Sequence, residues 1–205
     1  VMRYFYRYKC TDLVLDTNGI GVGIFDFICK DQYDSDTGDT YKALTCLNDE
    51  DMAIRCKVKD ANKVVWSVKA TSSFNNEICV LLRNGIQNGK IDFLISDQEC
   101  EEEIIKGFGN RVYSKLSATD QIALKKPYIQ TTLAEYELIK LDHEIKNGNI
   151  KVKEQSGMRK DRYSSIAYNF WCASQLELKL RPNKSVVDDI KKMFNIRPPK
   201  RVTRF

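Results

Sequence analysis

The sequence lacks the patterns that mark common zinc sites and covalent catalytic sites. Its seven cysteines form no C-x-x-C pair, and the single histidine, His143, has no cysteine or second histidine nearby. These absences disfavour a zinc site and Ser-His or Cys-His catalysis. We expect reduced, mostly structural cysteines and a surface histidine in the middle of a helix.

Membrane and nucleotide signals are also missing. The chain shows no signal peptide and no uninterrupted apolar stretch of about 18 residues, which predicts a soluble, cytoplasmic protein without membrane contact. No G-x-x-x-x-G-K-[ST] sequence occurs, which argues against a P-loop ATPase. The stretch DSDTGDTYKALT lacks glycine at the sixth position and glutamate at the twelfth position of a calcium loop, so we interpret it as a solvated acidic loop.

What the sequence does contain is enough apolar residues for one sizeable core. Of its 205 residues, 42% are hydrophobic and 30% are charged, with a net charge of +5. One globular domain is the expectation for this length. The charge is compatible with a polyanionic partner but does not by itself predict one.

Hydrophobic periodicity predicts strands that alternate with helices. Strands are expected at residues 13–15, 63–70, 90–96 and 150–154, and helices at 3–9, 22–30, 52–57, 74–87, 98–108, 131–146 and from 161 onward. Residues 31–50 are expected to form an acidic loop. This alternation favours an α/β domain with a partly parallel sheet.

The stretch LVLDTNGIGVG, residues 13–23, joins a predicted strand to a glycine-rich turn. Its glycines miss the G-x-G-x-x-G spacing, and an aspartate at the mouth of the turn would repel phosphates, so a dinucleotide site is not predicted. Asp16 ends the strand at the sheet edge where ligands bind in open α/β folds. Two interpretations stay open, an acid with a function or an Asx-turn with Asn18 and Gly19.

A second carboxylate, Asp161, opens the predicted helix DRYSSIAYNFW. Aspartate at this position is a common helix cap, but it could also hold a metal on a rigid element. The two acids are far apart in the sequence, so only tertiary folding could bring them together.

Three stretches together resemble the nuclease half of viral DNA-packaging terminase large subunits: LVLDTNGIGVGIFDFI, VVWSVKATSSFNNE and GMRKDRYSSIAYNFW. The resemblance implies an RNase H-like nuclease fold, with a mixed central sheet flanked by helices, over residues 1–180. A C-terminal helix and basic tail would follow in 181–205. Asp16 matches the family's acid at the end of a central strand, and Asp161 matches the acid at the head of the late helix.

The resemblance also implies an activity and its partners. The family uses a two-metal site, with Mg²⁺ or Mn²⁺ held by carboxylates, to cut concatemeric double-stranded DNA. Two such metals can activate a water and stabilise the leaving 3′ oxygen. Asp16 and Asp161 would be metal ligands, and the expected partners are the ATPase domain of the same parent protein, the small terminase subunit and the portal, in a bacterial host.

One departure from the family concerns its first acid, which lies on the opening strand of the domain. Only fifteen residues precede Asp16, so we expect either that the N-terminal strands and that acid are missing or that the acid is replaced from elsewhere. Asp26 could be an extra ligand, although its spacing is more typical of a solvent-facing helix residue. Asp12 lies at the wrong end of the strand.

Basic residues surround the two acids in the sequence. The candidates for DNA-backbone binding are Arg159, Lys160 and Arg162, which flank Asp161, with Lys151 and Lys153 on the preceding strand. Ordinary solubilising charge explains each of them equally well. Arg197, Lys200, Arg201 and Arg204 form a basic tail that could bind DNA or the portal, or have no fixed partner.

The leading hypothesis is therefore a metal-dependent, sequence-independent DNA endonuclease. The alternative is a catalytically silent DNA- or portal-binding module that keeps the nuclease fold and lacks one ligand. A small-molecule α/β enzyme is a distant third, which nucleotide binding would distinguish.

Overall fold

The computed structural model describes residues 1–155 and 159–180, which form a mixed α/β architecture. The helices are α1 Met2–Arg7, α2 Ile20–Ile28, α3 Glu50–Ala53, α4 Ser72–Gln87, α5 Cys100–Phe108, α6 Asn110–Tyr113, α7 Ala118–Lys140 and α8 Asp161–Leu180. The strands are β1 Leu13–Asp16, β2 Gln32–Tyr33, β3 Thr40–Tyr41, β4 Leu44–Cys46, β5 Asn62–Val68, β6 Asp142–Lys146 and β7 Asn149–Lys153. Contacts divide the chain into the units Val1–Trp171 and Cys172–Phe205, with the boundary inside α8.

The central sheet has three strands in the order β1-β5-β4. Both pairings are parallel, with Asp16 opposite Val68 at the end of β1. The α/β class is thus confirmed, but among the described residues this sheet is wholly parallel and not mixed. Parallel neighbours bring the carboxyl ends of all three strands to one edge, which is where polar residues gather.

Antiparallel pairing occurs outside this sheet. β2 pairs with β3, and β6 pairs with β7 in a hairpin whose two-residue turn is Asn147 and Gly148. Both turn residues have positive φ, 51° and 76°, as a type I′ turn requires.

Side chains at the helix starts explain several boundaries. Thr71, Asp49 and Ser117 each accept a hydrogen bond from a backbone N–H in the first turn of α4, α3 and α7. The cap predicted in TSS is therefore confirmed at Thr71, because its hydroxyl satisfies an N–H that has no partner inside the helix.

The structure corrects four sequence predictions. Residues 31–50 are more than a loop, since they contain three short strands and the start of α3. The stretch 90–96 has no strand, and α3 ends at Ala53. The long helix begins at Ala118 and ends at Lys140, so His143 lies on strand β6 and not in a helix. The predicted helix and tail of 181–205 lie outside the described residues.

Buried apolar residues form three separate clusters. The first packs α1 and α2 against the parallel sheet around Phe25, Leu44 and Val65. The second joins α4, β7 and α8 around Ile78, Leu82 and Ala167. The third lies within α5, α6 and α7 around Cys100 and Ile104. No helix among the described residues is both long and apolar enough to cross a membrane.

Candidate functional site at the carboxyl edge of the sheet

The end of β1 is held in a fixed shape by its own turn. Asp16 Oδ1 accepts a hydrogen bond from the Asn18 N–H at 3.0 Å, and Gly19 follows with φ of +55°. The predicted Asx-turn is therefore present, and it occupies one carboxylate oxygen. It does not exclude a function for Asp16, because a carboxylate has a second oxygen and further lone pairs.

One of the glycines after Asp16, Gly21, is required by packing. A Cβ at Gly21 would lie 1.7 Å from the Asp16 carbonyl oxygen, whereas one at Gly23 would meet nothing within 4 Å. Helix α2 therefore begins directly against the end of β1, and a side chain at residue 21 would force them apart. Gly21 alone serves this close approach, because Gly19 and Gly23 have open space around them.

A chain of polar contacts crosses the same edge of the sheet. The Thr17 and Ser67 hydroxyls lie 2.7 Å apart, the Ser67 hydroxyl donates to Asp49 Oδ2 at 3.4 Å, and Lys69 pairs with Asp49. The Asn48 amide bonds both the N–H and the carbonyl of Ser67. This network fixes the strand ends beside Asp16. Sequence reasoning missed these residues, although their signal was present as polar residues directly after apolar strands.

A cavity of about 610 Å³ opens beside Asp16. Its walls come from the end of β1, the start of α4, the β6-β7 hairpin and the first two turns of α8; they include Asp16, Asn75, Lys146, Asn147, Lys151, Lys160, Tyr163, Ser164 and Tyr168. Tertiary folding thus places Asp16 in one cavity with Lys160, Tyr163 and Ser164 at the start of α8. One carboxylate here shares a cavity with three lysines.

The pKa of Tyr168 shows that α8 lies close to Asp16. Burial raises the pKa of the Tyr168 hydroxyl, and the negative charge of Asp16 raises it further. Because Tyr168 and Asp161 are separated by seven residues, they lie about 10 Å apart along the axis of α8.

Asp161 is exposed and does not line the cavity, although its neighbours Lys160 and Ser164 do. Nor does Asp161 cap its helix, since no hydrogen bond or ion pair joins its carboxylate to the described residues. The N–H of Tyr163, in the first turn of α8, is instead bonded by Glu137 of α7 at 2.7 Å. The cap interpretation of Asp161 is therefore wrong.

The five basic candidates have different surroundings. Lys160 and Lys151 line the cavity with Asp16, and Lys151 also pairs with Glu144 at 3.8 Å. Lys153 pairs with Glu144, whose pKa it holds below the usual range. Arg162 turns toward Glu137 and Gln130, and Arg159 is exposed. Lys146 completes the cavity but was missed, because the sequence was interpreted as helical there.

The other two acids near Asp16 in the sequence have partners of their own. Asp12 accepts a hydrogen bond from Trp66 Nε1 at 2.7 Å. Arg55 binds both carboxylate oxygens of Asp26 through two nitrogen atoms. Within residues 1–155 and 159–180, no group of three or more His, Cys, Asp or Glu side chains could hold a metal ion.

Comparison with known proteins adds no assignment: no family model, curated protein or solved structure gives a significant match to this chain.

Proposed function

We propose that this chain is the nuclease part of a viral DNA-packaging terminase large subunit, that its sheet belongs to an RNase H-like fold, and that it cuts double-stranded DNA in a metal-dependent reaction. The observation that carries this proposal is the cavity in which Asp16 meets the start of α8 among Lys146, Lys151 and Lys160. Cationic side chains around an acid suit a DNA backbone better than a neutral small molecule.

The lysines have a clear role in such a reaction. Their ammonium groups neutralise phosphates and hold the strand without reading bases, which agrees with sequence-independent cleavage. Lys146 and Lys151 sit on a hairpin and Lys160 on the approach to α8, so the phosphates would be held between two elements.

The described residues supply only some of the carboxylate ligands that a two-metal site needs. Asp16 keeps one carboxylate oxygen outside its turn and Asp161 is exposed, but two acids are fewer than a two-metal site uses. We therefore assign no step to a metal. The edge of β1 away from β5 pairs with no described strand, so an element paired there could place a third acid near Asp16.

The same shortage of acids favours a second candidate, a silent DNA-binding module with the nuclease fold. It would keep the lysine-lined cavity and its affinity for DNA while lacking cleavage. Because the two candidates share the binding step, cleavage and binding have to be measured separately.

The test measures nicking of supercoiled plasmid in the presence of Mg²⁺ or Mn²⁺, and compares it with nicking in the presence of EDTA, which removes the metal. Asp16→Asn is the informative variant, because an asparagine oxygen can still accept the Asn18 N–H while the charge is lost. Asp161→Asn is its companion, and Asp51→Asn, at an exposed position on α3, is the control. Metal-dependent nicking that both site variants abolish and the control retains supports the nuclease.

Binding to a short duplex is followed by fluorescence anisotropy across a salt series. Lys146→Met, Lys151→Met and Lys160→Met should each lower the slope of log affinity against log salt by about 1, while exposed Lys59→Met should not. Binding without nicking favours the silent module. A chain that neither binds nor cuts DNA overturns both candidates.

A further inference from the structure

We propose that Glu137 is a positioning residue for the cavity: from helix α7 it fixes the first turn of α8, so that Lys160 and Ser164 face Asp16. The role in DNA handling rests on the proposed function, whereas the contact itself can be tested without it.

Glu137 is a buried acid, with only 4% of the residue exposed. Its Oε1 accepts the Tyr163 N–H at 2.7 Å, and its Oε2 lies 3.4 Å from Nη1 of Arg162. Burying a carboxylate is costly unless it is paired and hydrogen-bonded. Both oxygens of Glu137 meet this condition at the same place, the start of α8.

Helix α8 needs a cap from elsewhere. Lys160 precedes the helix, and lysine offers no acceptor for the unpaired N–H groups of the first turn. Asp161 makes no such bond either. Glu137 supplies the missing acceptor across the α7–α8 contact, and its negative charge also suits the positive end of the helix.

The capped turn is also the turn that builds the cavity. Lys160, Tyr163 and Ser164 all line it, and the Ser164 N–H bonds the Lys160 carbonyl at 2.9 Å. A shift of this turn therefore moves Lys160 and the hydroxyl of Ser164 relative to Asp16. Neither Tyr163 nor Glu137 needs to touch DNA for this effect.

The test compares Glu137→Ala and Glu137→Gln with Glu135→Ala and Glu135→Gln, since Glu135 lies on the same helix outside this contact. Amide hydrogen exchange of residues 161–166 is the first measurement. Glu137→Ala removes one partner of a buried hydrogen bond and so lowers the free energy needed to open the first turn of α8. We expect amide exchange there to become about tenfold faster. Glu137→Gln keeps an acceptor and should recover part of this loss, while exchange in α4 and β5 stays unchanged.

DNA affinity and nicking are measured on the same proteins. We expect both to fall about tenfold in Glu137→Ala, to recover partly in Glu137→Gln, and to stay at the wild-type level in the Glu135 variants. Unchanged exchange at 161–166, or an equal increase everywhere, overturns the capping contact. Faster local exchange with unchanged DNA handling overturns the positioning role. A wild-type chain without DNA binding or cleavage overturns the proposed function, and exchange alone then decides the contact.

Discussion

At the scale of single residues, Gly21 is the glycine after β1 that close packing requires. Its missing side chain lets α2 start against the Asp16 carbonyl. We expect Gly21→Ala to destabilise the fold by about 1–3 kcal/mol, because the added methyl must displace backbone.

Gly23→Ala is the matched control, since it lies in the same helix with open space around it. Alanine is the better helix former, so this variant should be neutral or more stable by up to about 1 kcal/mol. Urea unfolding followed by circular dichroism measures both. Equal effects of the two substitutions would show that contact with β1 is not what requires glycine at residue 21.

The Asp26–Arg55 pair predicts a pH effect on a single residue. The hydrogen bonds from Arg55 hold the pKa of Asp26 below its usual 3.8. Because the folded pKa is lowered, the pair's contribution to stability is present above pH 3.8 and is lost as pH falls through the folded pKa.

An NMR titration of the Asp26 carboxyl checks this. Arg55→Gln should return the pKa toward 3.8, because the charge and its hydrogen-bond geometry are lost. Lys30→Met should have a smaller effect, since the charge of Lys30 is the weakest of the causes that lower the pKa of Asp26. A lowered pKa that persists in Arg55→Gln would contradict the assignment of its cause.

At the scale of elements, the β6-β7 hairpin is the clearest case where the sequence misled. Residues 131–146 were predicted to be one helix that ends at NGN, yet Asn-Gly between apolar residues is also a strong hairpin signal. The structure places Ile145 opposite Ile150 and Lys146 opposite Asn149 across this turn. The apolar spacing did not distinguish a helix from a strand at residues 142–146, because charged residues face solvent in both elements.

The turn itself gives a prediction. Gly148 has φ of +76°, so Gly148→Ala should destabilise the hairpin by about 1–2 kcal/mol. Gly107→Ala, in α5 with open space, is the control and should not destabilise. Thermal unfolding measures the loss of stability in each variant. NMR contacts between the amides of Lys146 and Asn149 show whether the hairpin still forms. A neutral Gly148→Ala would mean that the turn tolerates an ordinary residue.

At the scale of the whole molecule, local signals predicted local structure well. Strand β1, the cap at Thr71 and the helices at residues 20–28, 72–87 and 161–180 follow from apolar spacing and capping chemistry. The resemblance paired Asp16 with Asp161, whereas the cavity beside Asp16 is lined by the neighbours of Asp161, Lys160 and Ser164. Lys146 and Glu137 were not found, because their roles depend on elements that approach only in the folded chain.

The three apolar clusters also indicate the order in which parts of the molecule fold. The cluster around Phe25 and Val65 needs only the first third of the chain, whereas the cluster around Ile78 and Ala167 closes a much longer loop. During synthesis, Asp16 can therefore be set in its turn long before Lys160 leaves the ribosome. Since closing long loops is the slower event, we expect the lysine-lined cavity to be among the last parts of the protein to form.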